Sequence, residues 1–270
     1  MINPKKGIAF AVTANDVAEK DSILLGEPFG ASWYYSWSAK SPVRPENEKG
    51  AEFIPMLWDA SQYHWSVLKD NYSSDYTGWI MGPNEPNLST QANMTPVEAA
   101  ICWYQLRESY PLAKLLSPVC WDRPILNKKT QKWEHEGDHW LSAWIHEYWL
   151  RYNHYPEPDA WAMHYYTGKT PHVAVERFYK EFVSKNDERD GISVWLTEFR
   201  FCHEWLNEAP ENDLAKYMRM QFRLLDRLPY LERYAYFSNR NCDPIINENC
   251  DIALCNDNGL TDMGKVFMWV

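Results

Sequence analysis

The sequence has no lysine- or arginine-rich block. Its 27 basic residues are outnumbered by 37 acidic ones, giving a net charge of −10. Such a chain is a poor match for nucleic acid or an anionic membrane surface. No stretch is long and apolar enough to cross a bilayer. The N-terminus, MINPKKGIAF, lacks the apolar segment and cleavage site of a signal peptide. The expectation is a secreted or extracellular protein whose leader is absent from this chain, with the cytoplasm as the alternative. There is no CxxC pair among the six cysteines. Internal repeats, low-complexity segments and interdomain linkers are also missing, so residues 1–270 read as one domain.

What is present is a large potential core, with 45% hydrophobic residues, and an excess of aromatics, including 15 Trp and 17 Tyr. Rings with an apolar face and a polar tip suit a cleft that stacks on flat, hydroxyl-rich ligands. Of the cysteines, Cys242, Cys250 and Cys255 crowd the C-terminal region, where one disulfide is expected in an oxidising compartment. Cys102 and Cys120 fit buried free thiols equally well. Cys202 stands apart from both groups. Asn71, Asn87 and Asn93 each open an N-x-S/T triplet, a pattern that also arises by chance.

Eight short apolar or aromatic runs are bounded by turn residues: 7–12, 31–37, 52–58, 78–83, 114–120, 160–166, 193–199 and 233–238. Helical patterns lie between several of them. Thr95-Pro96-Val97-Glu98 reads as a capping box opening a helix to about Tyr110. Asp138 reads as the cap of a helix over 139–151, Pro171 as the start of another toward Lys185, and 211–228 as a long amphipathic helix. Strands alternating with helices predict a compact α/β fold, the (β/α)8 TIM barrel. The first four runs are closely spaced, so some outer helices on that side should be short or missing.

In such a barrel, function sits at the C-terminal ends of the strands. The fourth run ends in Gly82-Pro83-Asn84-Glu85-Pro86 and the seventh in Thr197-Glu198-Phe199. Either glutamate alone is an ordinary surface residue or salt-bridge partner. Together they place two carboxylates across one mouth, which is what glycoside hydrolysis requires. One is protonated to donate to the leaving oxygen, and the other is ionised to attack the sugar carbon or activate a water. The alternating Trp33, Tyr35 and Trp37 share a face. Trp37, Trp58 and Trp121 are the preferred stacking candidates, joined by Tyr165 and Tyr166. His164 and a tyrosine of the sixth strand are candidates to hydrogen-bond the seventh-strand glutamate. Each aromatic also has a plain reading as core filling.

N-E-P on the fourth strand and T-E-F on the seventh resemble clan A of the glycoside hydrolases. More narrowly, the blocks SWYYSW (32–37), EFIPMLW (52–58), GPNEPNLSTQANMTPVEAA (82–100), LLSPVC (115–120), MHYY (163–166), VWLTEF (194–199), ERYAYF (232–237) and GLTDMG (259–264) resemble glycoside hydrolase family 128. The likeness runs from about Gly7 to the C-terminus. One departure is Pro83, where that family often has Phe or Asn. The resemblance implies a retaining endo-β-1,3-glucanase, active on laminarin or curdlan, with Glu85 as acid/base, Glu198 as nucleophile and Asn84 on the 2-hydroxyl of the reacting sugar. It implies no cofactor or metal, a β-1,3-glucan partner and a monomer. The alternatives are exo action, a non-catalytic glucan-binding relative, or a glycosidase of another β-glycan.

One motif competes. His135-Glu136-Gly137-Asp138-His139 matches H-E-x-x-H of zinc peptidases, which needs both histidines on one face of a continuous helix. Gly137 and the expected cap at Asp138 place the two histidines across a helix boundary, and the polar segment before them reads as a solvated loop.

Overall fold

The computed structural model describes residues 3–12, 15–26, 28–127, 129, 131–166, 170–185, 189, 191–200, 214–240 and 253–270. Eight parallel strands make one curled sheet: β1 (Lys6–Ala9), β2 (Trp33–Tyr35), β3 (Glu52–Phe53), β4 (Trp79–Met81), β5 (Lys114–Leu116), β6 (Ala160–Tyr165), β7 (Ser193–Phe199) and β8 (Leu231–Phe237). Their order across the sheet is β3-β2-β1-β8-β7-β6-β5-β4, and the short strand Cys120–Trp121 also pairs with β6. Main-chain bonds join the two ends of this row. Met81 N donates to Pro55 O (2.8 Å), Leu57 N to Met81 O (3.0 Å) and Asn84 N to Trp58 O (3.0 Å).

Helices α1 (Asn15–Asp21), α2 (Gln62–Asn71), α3 (Pro96–Ser109), α4 (Glu136–Tyr152), α5 (Pro171–Phe178), α6 (Leu214–Asp226) and α7 (Asp262–Met268) cover the outside. Between β2 and β3 there is only the 3-10 turn Pro45–Asn47, so the ring is thin where the close spacing of the early strands predicts it. The capping box of α3 is formed: Glu98 N donates to Thr95 Oγ1 and Thr95 N to Glu98 Oε2. No helix among the described residues is long and apolar enough to cross a membrane.

The alternation of each strand divides the apolar side chains into two cores. Inside the curled sheet, Trp195 packs against Trp33 (ring centroids 5.1 Å apart) and Trp79 (4.5 Å), with Ala9, Ala160, Ala162 and Ala235 leaving room for the indoles. Outside it, Ile8, Tyr34, Ile80, Leu115, Trp161, Leu196 and Tyr234 face the helices. Trp33 is thus core rather than cleft. Truncating a buried tryptophan of this kind costs about 3–5 kcal/mol.

Four expectations need correction. Asp138 does not cap α4: the helix starts two residues earlier, with His135 in extended conformation as the cap residue. Asp138 Oδ2 instead accepts from Arg177 NH1 at 2.7 Å, which draws the carboxylate away from the helix end. Gly137 does not interrupt the helix either. Its missing Cβ lets the first turn pack close, since a methyl there would stand 3.2 Å from Cys120 Cβ. The polar segment before α4 is no loop but an antiparallel hairpin, with Pro124–Asn127 paired to Lys132–His135. Cross-strand main-chain pairing forms without an apolar alternation to announce it. Cys255 is a buried free thiol, like Cys102 and Cys120, so it does not take part in the expected disulfide; Cys202, Cys242 and Cys250 lie outside the described residues. Burial pushes the Cys255 and Cys102 thiols up to about 12, where they stay protonated.

Candidate active site

β4 ends at Met81, and Gly82-Pro83-Asn84-Glu85-Pro86 then crosses the mouth. Gly82 is required for close approach to the end of β5, because a Cβ would sit 2.9 Å from Leu116 O. Asn84 N bonds Trp58 O on one side and Glu85 N bonds Val119 O (2.7 Å) on the other. Glu85 has φ of 43°. That left-handed conformation costs a non-glycine residue roughly 1–3 kcal/mol and persists only where neighbouring bonds over-determine it. Proline next in sequence closes off the ordinary helical alternative. The kink turns the Glu85 carboxyl, 5% exposed, into the cleft.

Glu198 reaches the same cleft by another device. Along β7, Trp195 faces the inner core while Leu196 faces the outer one, so strict alternation would send residue 198 outward with Leu196. The pairing with β6 shifts between Leu196↔Met163 and Glu198↔His164, a β-bulge at Thr197. One extra residue reverses the alternation, which re-aims a side chain as bulges beside active sites do. Glu198 turns in and Phe199 out. The bulge carbonyl, Thr197 O, accepts from Tyr35 OH at 3.1 Å.

The surroundings of the two carboxylates differ. Glu198 Oε1 accepts from Tyr35 OH (2.7 Å) and Trp37 Nε1 (2.8 Å), while Oε2 accepts from Tyr166 OH. Glu85 Oε1 lies 2.8 Å from His164 Nδ1, and the other ring nitrogen of His164 stands 3.3 Å from Glu198 Oε1. One carboxylate oxygen from each glutamate and an imidazole nitrogen lie within 4.8 Å of one another. Burial raises Glu198 above the ordinary carboxylate range and the like charge of Glu85 adds to this, while His164 and the Tyr166 and Tyr35 hydroxyls pull it back. Burial opposes charge on His164, but the carboxylates on either side outweigh it and raise its pKa. Loss of solvent, then the Glu198 and Glu85 charges, hold Tyr166 well above the usual phenol value, so it remains a donor.

The structure brings most of the sequence candidates together, with altered roles for some. Asn84 is 3% exposed; its Nδ2 is 3.4 Å from Gln91 Oε1, and its Oδ1 has no hydrogen-bond partner. A buried acceptor left open in a cleft is costly unless a ligand hydroxyl fills it. Trp37, also left-handed at φ 53°, does not merely line the mouth: its indole holds Glu198. Trp121 meets Tyr166 edge-on at 6.3 Å and is clamped through both main-chain groups by the Asn87 amide, at 3.1 and 3.2 Å. Trp58 packs at the rim of the inner core. His164 makes its short bond to Glu85 rather than to the seventh-strand glutamate. Tyr165 is not brought to the carboxylates: one position from both His164 and Tyr166, it points to the outer core. Phe237 is not singled out by the sequence, and Asn87 only as the start of an N-x-S/T triplet. Phe237 ends the eighth strand, where its ring meets Trp37 and Tyr166 edge-on at 5.6 Å each, so its strand-end position was a usable signal.

The H-E-x-x-H segment is occupied otherwise. His135 lies outside the helix and stands 3.0 Å from Asp122, and Arg177 binds both Asp122 and Asp138. Among the described residues, the one group of three or more close metal-capable side chains is Glu85, His164 and Glu198. Both oxygens of Glu198 already accept from ring hydroxyls or an indole there.

Two glutamates facing each other at the C-terminal mouth of a parallel, helix-covered sheet define a glycoside hydrolase type of site. The family model described as glycosyl hydrolase catalytic core matches residues 7–267. Among solved structures, a subgroup II endo-β-1,3-glucanase of glycoside hydrolase family 128 from Pseudomonas viridiflava is 25% identical, covering 99% of this chain and 98% of its own, with a TM-score of 0.69. A subgroup III curdlan-specific exo-β-1,3-glucanase from Blastomyces gilchristii, in complex with glucose, is 21% identical over 99% and 100%, with a TM-score of 0.67. A subgroup I endo-β-1,3-glucanase from Amycolatopsis mediterranei, in complex with laminaritriose, is 20% identical over 99% and 99%, with a TM-score of 0.66. A search of curated proteins found no match. The chain belongs to the glycosyl hydrolase catalytic core family.

Proposed function

We propose that the protein is a retaining endo-β-1,3-glucanase. The observation that carries this reading is the close facing of Glu85 and Glu198, one held by a single imidazole and the other by three donors. Two carboxyl groups about 5–5.5 Å apart suit a retaining double displacement, whereas inversion needs room for a water between them. Glu85, protonated, gives its proton to the glycosidic oxygen as Glu198 attacks the anomeric carbon. The C–O bond breaks, the leaving chain departs as an alcohol, and a glycosyl ester forms on Glu198. Glu85, now ionised, takes a proton from water, whose oxygen attacks the same carbon and frees Glu198. Burial disfavours charge on the His164 ring between the two groups, and the carboxylates on either side favour it more. Asn84 Oδ1 accepts from the 2-hydroxyl of the reacting sugar.

Several findings support the finer parts. The bonds joining residues 55–58 to 81–84 favour a fully closed (β/α)8 barrel. β-1,3-Glucan is favoured by the family 128 neighbours, and endo action by the exposed rim beyond Trp58, where Tyr63 is 70% accessible. A monomeric, single-domain enzyme acting outside the cell fits a polymer too large to enter it, and two carboxylates complete the chemistry without a cofactor.

The test is a time course on linear β-1,3-glucan with products separated by size. A ladder of intermediate oligosaccharides is expected. One small product from the start would mean exo action, and binding without products would place the protein among glucan-recognition relatives. Following the anomer released first, by NMR, checks retention.

A further inference from the structure

The rim of the cleft carries rings that the chemistry does not use. Trp58 sits one strand from the catalytic segment at the level of Asn84, whose main-chain N–H it receives. The His64 ring lies 5.5 Å from Trp58, tilted at 46°, and Tyr63 lies 5.1 Å beyond, edge-on at 71°. Both belong to the first turn of α2, which follows the C-terminal end of β3 and so stands on the same face as the carboxylates. The row therefore leads outward from the reacting centre.

This row is held in place rather than loosely exposed. Asp59 Oδ1 lies 2.5 Å from His64 Nδ1 and accepts from Ser61 N at 2.8 Å; Ser61 Oγ is 2.9 Å from the same imidazole nitrogen and also caps α2. Two polar side chains thus fix the His64 ring against Trp58. Tyr63 is different. At 70% exposure its ring gives the fold little burial, and yet it stands beside the fixed pair. A single file of rings with polar groups along it is not the broad apolar patch of a protein interface. It fits a narrow chain of neutral, hydroxyl-bearing rings, each offering an apolar face to stack and hydroxyls for Asp59 and Ser61.

We propose that Trp58, His64 and Tyr63 form a distal subsite track that receives glucosyl units of a β-1,3-glucan beyond the reacting sugar and sets the enzyme's preference for longer chains. This rests on the glucanase reading and adds to it a specificity element outside the catalytic group. Tyr63 supplies the outermost platform, and Asp59 with Ser61 keeps the track aligned with the cleft.

The test compares laminarihexaose with laminaritriose in wild type, Tyr63→Ala and Tyr63→Phe. The ratio of kcat/KM for hexaose to that for triose should fall about five- to tenfold in Tyr63→Ala, the size expected for loss of one aromatic contact. It should stay near the wild-type ratio in Tyr63→Phe, which keeps the ring. In parallel, hexaose binding is measured by calorimetry in Glu198→Gln with and without Tyr63→Ala, where weakening of the same size is expected. If wild type cleaves both oligosaccharides and Tyr63→Ala leaves the ratio unchanged, the track is wrong and the glucanase reading stands. If wild type cleaves neither but Glu198→Gln binds hexaose in a Tyr63-dependent way, the track stands and catalysis is wrong. Neither cleavage nor binding overturns both.

Discussion

Glu85 and Glu198 share one cleft yet are placed and supported in opposite ways. The backbone does the work for Glu85: a left-handed residue before a proline, pinned by main-chain bonds to the chains on both sides, with one side-chain contact, His164. Glu198 is turned inward by one extra residue in its strand and then surrounded by side chains, Tyr35, Trp37 and Tyr166. Donors converging on a carboxylate favour its anion. A carboxyl with a sparse shell keeps room for a proton that must come and go. The contrast supports the division of labour between nucleophile and acid/base more directly than their positions in the chain do.

The sharpest way to break that contrast is to remove each carboxyl in turn. Glu198→Ala should lower turnover by about 10⁴-fold or more on every substrate, because no covalent intermediate can form. Glu85→Ala should lose about 10²–10⁴-fold on glucan but far less on an aryl glycoside, whose leaving group needs no proton. Steady-state rates on the two substrates decide it, and equal losses would refute the acid role.

Thinning the donor shell is the next test. Tyr166→Phe removes one hydrogen bond to the charged form of Glu198, worth about 1.5–3 kcal/mol, so kcat should fall about ten- to a hundredfold. Removing a donor to the anion raises the carboxyl's pKa further, so the acidic limb of the pH–rate profile should move to higher pH. A limb that stays in place would mean that Tyr166 does not tune Glu198.

The smallest effect expected is on stability. Burial raises Glu198 in the folded state. Below the unfolded carboxyl pKa of about 4.3 both states hold the proton and the group is neutral to folding. Above it the unfolded chain releases its proton first, so the folded state loses stability until the folded group ionises too. Glu198→Gln should therefore raise the melting temperature by about 2–4 °C at neutral pH, and the gain should shrink toward pH 4. Melting curves at both pH values check the size and the trend.

Much of this was legible in the sequence, because the physics was local. The eight strand runs and the Thr95–Glu98 box read correctly, since apolar runs bounded by turns and reciprocal capping depend only on near neighbours. Both glutamates were found at strand ends, but the reasons they face the cleft were not. Alternation alone puts Glu198 on the wrong side, and a bulge at Thr197 exists only through pairing with β6. Plain alternation excludes Tyr165, which sits between two cleft residues and faces away, so its selection with Tyr166 ignored the strand's parity. The cap of α4 was misplaced because Arg177, distant in sequence, claims Asp138. The misses at Thr197 and Asp138 came from partners across space.

The bulge at Thr197 makes the pairing register of a strand, as well as residue identity, a determinant of activity. A point substitution there leaves the inward turn of Glu198 to the backbone. Removing the single codon for Thr197 would take out the extra residue and set Glu198 directly after Leu196, where plain alternation already turns it inward; what is lost is the carbonyl that accepts from Tyr35. Descendants of this sequence can lose the bulge by deletion with the glutamate still facing the cleft, but not by regularising the pairing at unchanged length, which would send Glu198 into the apolar layer behind the sheet.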